Sequence, residues 1–317
     1  MRHAFLVDPL DRFDIEKDTS LAFMREVARR GHEVLTGGVE GLALGPAARP
    51  YAWLCPTEIR EGDPWYSQGE ARPEPLEAMD VVWMRKDPPF DLNYLYATHI
   101  LSRVPPPTLI VNDPQALRDA NEKLFALRFQ EFCPESIVTR RIDELLEFRE
   151  KLGGEMIIKP LDGAGGEGVF HLTPHDRNVR AILETATAHE SRYQLAQRYI
   201  PEAREGDKRI ILLGAEPIGA VLRVPLLWET RANFHVGGTA KRAELTPRDR
   251  EICDAVGPVL DGIGVLFSGL DVIGQWMTEI NVTSPTGIRE INELDGVRLE
   301  TQVLDEVERR VERRRSS

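Results

Sequence analysis

Between Met156 and Leu172 the chain reads MIIKPLDGAGGEGVFHL, and this stretch restricts the possible folds more than any other. Gly163, Gly165, Gly166 and Gly168 lie between two segments of strand character, the first β-branched. Residues without Cβ let backbone N–H groups come close to a phosphate, and Lys159 just upstream puts an ammonium where it would meet one. The segment fits neither the Walker spacing GxxxxGK[ST] nor a GxGxxG turn opening a helix, because VFHL continues as a strand. The glycines alone are equally compatible with a tight hairpin that binds nothing.

With 317 residues the chain exceeds one small core and suits two or three units sharing interfaces. The run from His3 to Val7 reads as a buried strand, SLAFMREVARRGHEV as a helix closed by Gly31, and HEVLT as a second strand: a βαβ opening. Its first strand leads into VDPLDRFD with no Gly-rich turn, which argues against a dinucleotide site. From about Gly37 to Pro75 the pattern suggests long loops or hairpins. MDVVWMRKDPPFD and TLIVNDP read as strands running into loops, and Pro114 to Phe129 as one helix with Asn121, Glu122 and Lys123 near its middle. Further strands follow at PESIVTR and MIIKPL, with a helix beginning near Asp143 between them. RIILLGAEPIGAVLRVP reads as two strands about a turn at Gly214 and Ala215, followed by a loop to Arg242 and a helix from Pro247.

GLDVIGQWMTEINVT has hairpin character, and Asp271 and Glu279 are eight apart. An odd-length loop centred on Gln275 would set them opposite each other, with Asn281 on the same face. Two carboxylates and an amide carbonyl form a hard, all-oxygen set suited to magnesium, although a solvated strand face would look the same. Arg209, Arg223 and Arg231 bracket strands and a loop, where guanidinium forks suit carboxylates and phosphates.

A formal net charge of −12 disfavours nucleic-acid partners, and the RRVERRR run near the end reads as a solvated, cation-rich helix terminus. Cys55, Cys133 and Cys253 lack metal or redox spacing and should be reduced, packed thiols. His3, His32 and His235 show no ligand pattern. No stretch has the length of a signal h-region or a membrane span, so no membrane association and a cytoplasmic location are expected.

Lys123, Lys159 with its Gly-rich loop, the hinge QRYIP and the segments after it occur in the order of an ATP-grasp ligase. NEKLF, KPLDGAGG, GDKR, ETRAN, GLD and EINVTSPTGIREI, with MRKDPPFD and VNDPQALRD before them, resemble the bacterial glutathione synthetases of that class. The resemblance covers nearly the whole chain and is weakest over 37–75 and beyond Ile291; FHVGGTAKRAEL departs from the family pattern. It implies an α/β, Rossmann-like pre-ATP-grasp domain over residues 1–121, then a two-lobed α+β ATP-grasp body with lobes at 122–200 and 201–317. The implied reaction joins γ-glutamylcysteine to glycine through an acyl phosphate, consuming ATP with Mg2+, for which Mn2+ could substitute. A homotetramer is implied, with a dimer as the alternative. Two other readings stay open: a different ATP-grasp carboxylate–amine ligase, and a non-catalytic ATP-binding regulator.

By the same resemblance, Lys123 and Lys159 contact ATP phosphates under the loop containing Gly163, Gly165 and Gly166. Gln197, Tyr199 and Ile200 form the adenine slot, and Asp207 binds the ribose. Asp271, Glu279 and Asn281 hold the metal, and Arg209, Arg223 and Arg231 stabilise charge on the substrate. Arg85, Asn233, Gly237, Gly238, Ser284 and Thr286 are implied substrate contacts, and the loop from about Leu226 to Arg242 is the implied lid.

Overall fold

A computed structural model of the chain describes residues 1–163, 165–226 and 238–316. The first third holds β1 (Arg2–Leu6), α1 (Thr19–Arg29), β2 (Glu33–Gly37), β3 (Leu42–Leu44), β4 (Pro50–Ile59), β5 (Tyr66–Gln68), β6 (Arg72–Pro75), β7 (Val81–Met84), α2 (Leu92–Leu101), β8 (Leu109–Val111) and α3 (Pro114–Asp119). Its sheet runs β3-β4-β2-β1-β7-β8, parallel from β2 to β8, with β4 antiparallel and carrying β5 and β6. The apolar runs AFLV and VVWM suit strands covered on both faces. Trp83 is fully buried and stacks on Phe5 at 5.4 Å and Phe23 at 5.1 Å between centroids. A side chain of that kind contributes about 2 kcal/mol or more by its burial. The segment over 37–75 is therefore built largely of hairpin strands around the ten-residue β4.

The expected helix from Pro114 to Phe129 is broken. α3 ends at Asp119, and a 3-10 stretch resumes only at Ala126–Phe132. Asn121 causes the break: its Oδ1 accepts from the backbone N–H of Lys123 at 3.1 Å and Leu124 at 3.0 Å, replacing helical carbonyls. The Glu122 carbonyl accepts from Ile280 N at 2.9 Å and so joins a strand of the far sheet.

Next come β9 (Ser136–Thr139), α4 (Ile142–Lys151), β10 (Met156–Pro160), β11 (Phe170–Leu172), α5 (Val179–Ala186) and β12 (Gln194–Arg198), forming a sheet ordered β11-β10-β12-β9. The last part contains β13 (Asp207–Leu213), β14 (Glu216–Val224), β15 (Thr239–Arg242), α6 (Pro247–Gly262), β16 (Phe267–Ile273), β17 (Trp276–Asn281), α7 (Ile288–Asp295) and α8 (Leu299–Ser316), with sheet order β15-β14-β13-β16-β17. The turn at Gly214 and Ala215 closes on the Leu213–Glu216 pair as its sequence suggests. A capping box between Thr246 and Asp249 starts α6.

α8 buries Leu299, Val303, Leu304, Val307 and Val311 in the cluster that also contains Phe5, Phe23 and Trp83. Its basic end is not a purely solvated terminus: Arg314 Nη1 donates to the Thr108 carbonyl at 2.9 Å, Arg315 pairs with Asp80, and Arg310 with Asp261 at 2.5 Å. Cys55, Cys133 and Cys253 are free thiols. Among the described residues no helix is long and apolar enough to cross a membrane.

Candidate active site

Strand periodicity sorts the β9–β12 sheet into two faces. Met156, Ile158, Leu172 and Ala196 pack against Leu145, Phe148 and Leu183 of the helices. Alternation turns Ile157, Lys159, His171 and Gln197 to the other face. That face looks onto the β13–β17 sheet, because Lys159 Nζ lies 3.4 Å from Glu279 Oε1.

The facing sheet carries a charged row. Arg209 stands opposite Asp271, Asp271 opposite Glu279, and Asp207 opposite Arg223. Thus Asp271 and Glu279 do oppose each other, but not through an odd loop. Ile273 and Trp276 close a two-residue turn at Gly274 and Gln275, and a register shift next to Asp271 supplies the extra residue. Arg209 grips Asp271 with both edges of its fork, Nε to Oδ1 at 2.5 Å and Nη2 to Oδ2 at 3.0 Å. Arg223 Nη2 reaches Asp271 Oδ2 at 2.9 Å and Asp207 Oδ2 at 2.5 Å. Arg209 lies across Gly269, where an added Cβ would come within 2.8 Å of its Cδ.

Burial raises the Asp271 carboxyl pKa, but the two guanidiniums outweigh it and hold the group well below the usual carboxylate range. Asp207, with one shared guanidinium and Asp271 nearby, is pushed up by burial to about 7. Its Oδ1 and the Nε of Arg223 are buried with no partner among the described residues.

Lys123 is 3% exposed, donates to Gly163 O at 2.7 Å and pairs with Glu122; its Nζ lies 4.0 Å from Glu279. Burial lowers its pKa, yet Glu279 and Glu122 more than reverse this and keep it protonated. Gly163 has to be glycine, since a Cβ would meet Pro160 Cγ at 2.6 Å, and Gly165 and Gly166 have positive φ of 62° and 80°. A cavity of about 130 Å³ next to the loop, lined by Pro88, Phe90, Asn121, Glu122, Gly163 and Thr283, marks where the three sheets' surroundings meet.

Gln197 is buried and donates to Ser136 Oγ at 3.1 Å, while Ile200 is buried where the chain leaves β12. Tyr199 stacks on His171 at 4.0 Å. Arg85, Ser284 and Thr286 meet at the edge of the site. Arg85 donates to Ser20 Oγ at 3.1 Å and to Pro285 O at 3.0 Å, with its guanidinium 5.6 Å from the Phe23 and Phe267 rings. Ser284 Oγ donates to Asp87 Oδ1 at 2.5 Å, and the Thr286 carbonyl accepts from Arg209 Nη1 at 3.1 Å. Arg85 thus braces the turn that follows β17. Gly238 directly precedes β15, whereas Arg231, Asn233, Gly237, His235 and most of the expected lid lie outside the described residues.

No role for Glu122, Asp87, His171 or Asn112 follows from the sequence alone. Each except His171 lies inside a motif quoted for the resemblance, so a local signal was present for three of them. As for metal binding, the Glu279 carboxylate and the Asn281 carbonyl offer hard oxygens on one face and fit magnesium. Asp271 fits less directly, because both its oxygens are engaged by guanidiniums and Asn281 Nδ2 donates to Oδ2 at 3.2 Å. Among the described residues no three His, Cys, Asp or Glu side chains converge as a metal centre.

Two antiparallel sheets facing each other across a lysine- and arginine-lined cleft, behind a Rossmann-like domain, define the ATP-grasp class. A solved structure of the ATP-grasp ligase PsnB with a minimal precursor shares the fold at a TM-score of 0.62, with 16% identity, covering 97% of this chain and 98% of that one. The model of the prokaryotic glutathione synthetase N-terminal domain matches residues 1–118, and that of the prokaryotic glutathione synthetase ATP-grasp domain matches 122–296. The chain is 46% identical to glutathione synthetase from Gloeobacter violaceus, covering 96% of each, and 43% identical to glutathione synthetase from Brucella melitensis, covering 98% of this chain and 99% of the relative. It belongs to the prokaryotic glutathione synthetase family.

Proposed function

We propose that the protein joins γ-glutamylcysteine to glycine, converting ATP to ADP and phosphate. The observation that carries this is the convergence of Lys123, Lys159, Arg209 and Arg223 from both sides of the cleft onto Glu279 and Asp271. A site of this kind neutralises phosphate charge and positions a carboxylate without a protein nucleophile.

In this reading the cysteinyl carboxylate of γ-glutamylcysteine attacks the γ-phosphorus, an O–P bond forms and the bond to ADP breaks. The glycine amine then attacks the acyl carbon, phosphate leaves, and the amine gives up its proton. Lys123 and Lys159 hold the phosphates under the loop with Gly163, Gly165 and Gly166. Gln197, Tyr199 and Ile200 line the base slot, and Asp207, with its unpartnered buried oxygen, takes a ribose hydroxyl. Arg209 and Arg223, joined by Arg231, stabilise the charge that moves from carboxylate to phosphate. Magnesium, with manganese as substitute, would neutralise the phosphate oxygens from Glu279 and Asn281; a direct role for Asp271 needs a guanidinium to give way. Ser284, Thr286, Asn233, Gly237 and Gly238 surround the peptide, and Arg85 holds the 284–286 turn in place.

The unit division at 121 and 200, a cytoplasmic location and a homotetramer, or else a dimer, complete the proposal. The test is ADP release with magnesium and ATP, comparing γ-glutamylcysteine plus glycine with each alone, and product mass. Glutathione formed in step with ADP supports the reading; ATP binding without turnover on this pair overturns it.

A further inference from the structure

The cleft face of the β9–β12 sheet contains a ring pair, of which Tyr199 belongs to QRYIP and His171 to none of the motifs that carry the resemblance. His171 lies opposite Ile157, and Ile157 opposite Gln197, so the three form one row across β11, β10 and β12. Tyr199 continues the same face beyond Gln197, and its ring stacks on His171 with centroids 4.0 Å apart and planes 18° apart. His171 Nε2 lies 2.9 Å from Glu155 Oε1, which fixes the imidazole in the plane that makes the stack. The histidine side chain is only 12% exposed, so the pair is a packed element of the cleft wall.

Its position along β10 matters. Lys159 marks the phosphate end, and Glu155 is four residues back on the same face. At about 3.3 Å per residue His171, level with Ile157, lies about 7 Å back from Lys159, and Tyr199, one past the Met156–Arg198 pair, about 13 Å back, so the ring pair covers the stretch from a nucleotide's inner phosphates toward its base. The stacked rings therefore sit where the base would lie, next to the buried Ile200 and Gln197. Without His171 the Tyr199 ring would lose its stacking partner on that side and could turn about its side-chain bonds.

We propose that His171 is a positioning residue for nucleotide binding: with Glu155 it holds the Tyr199 ring as a wall of the base slot. This rests on the proposed reading of the cleft as an ATP site. The test measures ADP affinity by calorimetry, and ATP KM and kcat, for the full-length protein and for His171→Ala, His171→Phe and Glu155→Gln. The expected result is a fivefold or greater loss of ADP affinity and a matching rise in ATP KM for His171→Ala, with kcat within twofold of the parent. His171→Phe restores both values, and Glu155→Gln falls between. An His171→Ala protein with parental melting temperature, ADP affinity and ATP KM would overturn the proposal. Equal loss in the Ala and Phe variants would also overturn it, since stacking would then not be what matters. Failure of the parent protein to bind ADP would instead reject the ATP-site reading itself.

Discussion

Arg209 faces Asp271 from the directly opposite position on the neighbouring strand, and both oxygens of that carboxylate are taken by its fork at 2.5 and 3.0 Å. The same guanidinium donates to the Thr286 carbonyl at 3.1 Å, so one residue connects the charged sheet with the turn after β17. Arg209→Lys keeps the charge but cannot make the paired bonds and the third contact together. The expected outcome is a fall in kcat of about 100-fold, the scale of losing one preorganised charge-stabilising donor. Steady-state ligation assays check this, and an unchanged kcat would show that the fork geometry is not needed.

Asn121 replaces helical hydrogen bonding at Lys123 and Leu124 and also donates to Leu161 O at 2.9 Å, which ties the break in the chain to the phosphate loop. Asn121→Ala should cost about 1 kcal/mol of stability, as the loss of a side-chain cap does. Because Lys123 is the residue left unsupported, ATP KM should rise about threefold to tenfold. Urea denaturation and ATP titration measure the two effects; a stability loss with unchanged KM would separate the cap from phosphate binding.

His3 is fully buried; its Nδ1 accepts from Trp83 Nε1 at 3.1 Å, and its ring stacks on His32 at 5.5 Å. Burial, then the nearby His32 and the N-terminal ammonium, push its pKa down from 6.5 to about 3. The folded protein therefore keeps His3 neutral, whereas the unfolded chain takes up a proton below pH 6.5. This contribution to stability is complete above that pH and falls as pH drops from 6.5 toward 3. At about 1.4 kcal/mol per pH unit, the parent should lose about 1.4 kcal/mol more than His3→Gln between pH 7 and pH 5.5. Parallel urea transitions at the two pH values test it, and equal losses would contradict it.

Local pattern and tertiary contact divide what could be read in advance. The spacing in GLDVIGQWMTEIN places Asp271 opposite Glu279 on the assumption of an odd loop, and the pair does form, but through a two-residue turn and an extra residue at Thr278. How the loop achieves this was not legible, since the register shift beside Asp271 depends on the paired strands. Apolar spacing across Pro114 to Phe129 suggested one helix; the Glu122 carbonyl left it for Ile280, a partner far along the chain. Likewise RRVERRR looks like solvated charge until Thr108 O and Asp80 come into reach of Arg314 and Arg315. Motif order carried the family, while the residues between motifs, His171 among them, took meaning only from the sheet.

Asn112 offers the most demanding test of how the N-terminal domain is fixed to the site. It is 3% exposed; its Nδ2 donates to Phe267 O at 2.7 Å and Val282 O at 2.6 Å, and its Oδ1 accepts from Leu266 N at 2.8 Å and Phe267 N at 2.9 Å. One amide thus satisfies four backbone groups at β16 and just past β17, the strands that carry Asp271 and Glu279. Asn112→Ala leaves those groups buried without partners and should cost about 3–5 kcal/mol. Asn112→Asp should be worse near neutral pH, because a carboxylate oxygen would face two carbonyl oxygens where the amide donated. Lowering pH should recover part of the Asp variant's deficit as the carboxyl takes up a proton, and leave the Ala variant's deficit nearly unchanged. Thermal melts of both variants at pH 7 and pH 5 decide it: if Asp is the milder change at pH 7, the amide is not the donor that this arrangement requires.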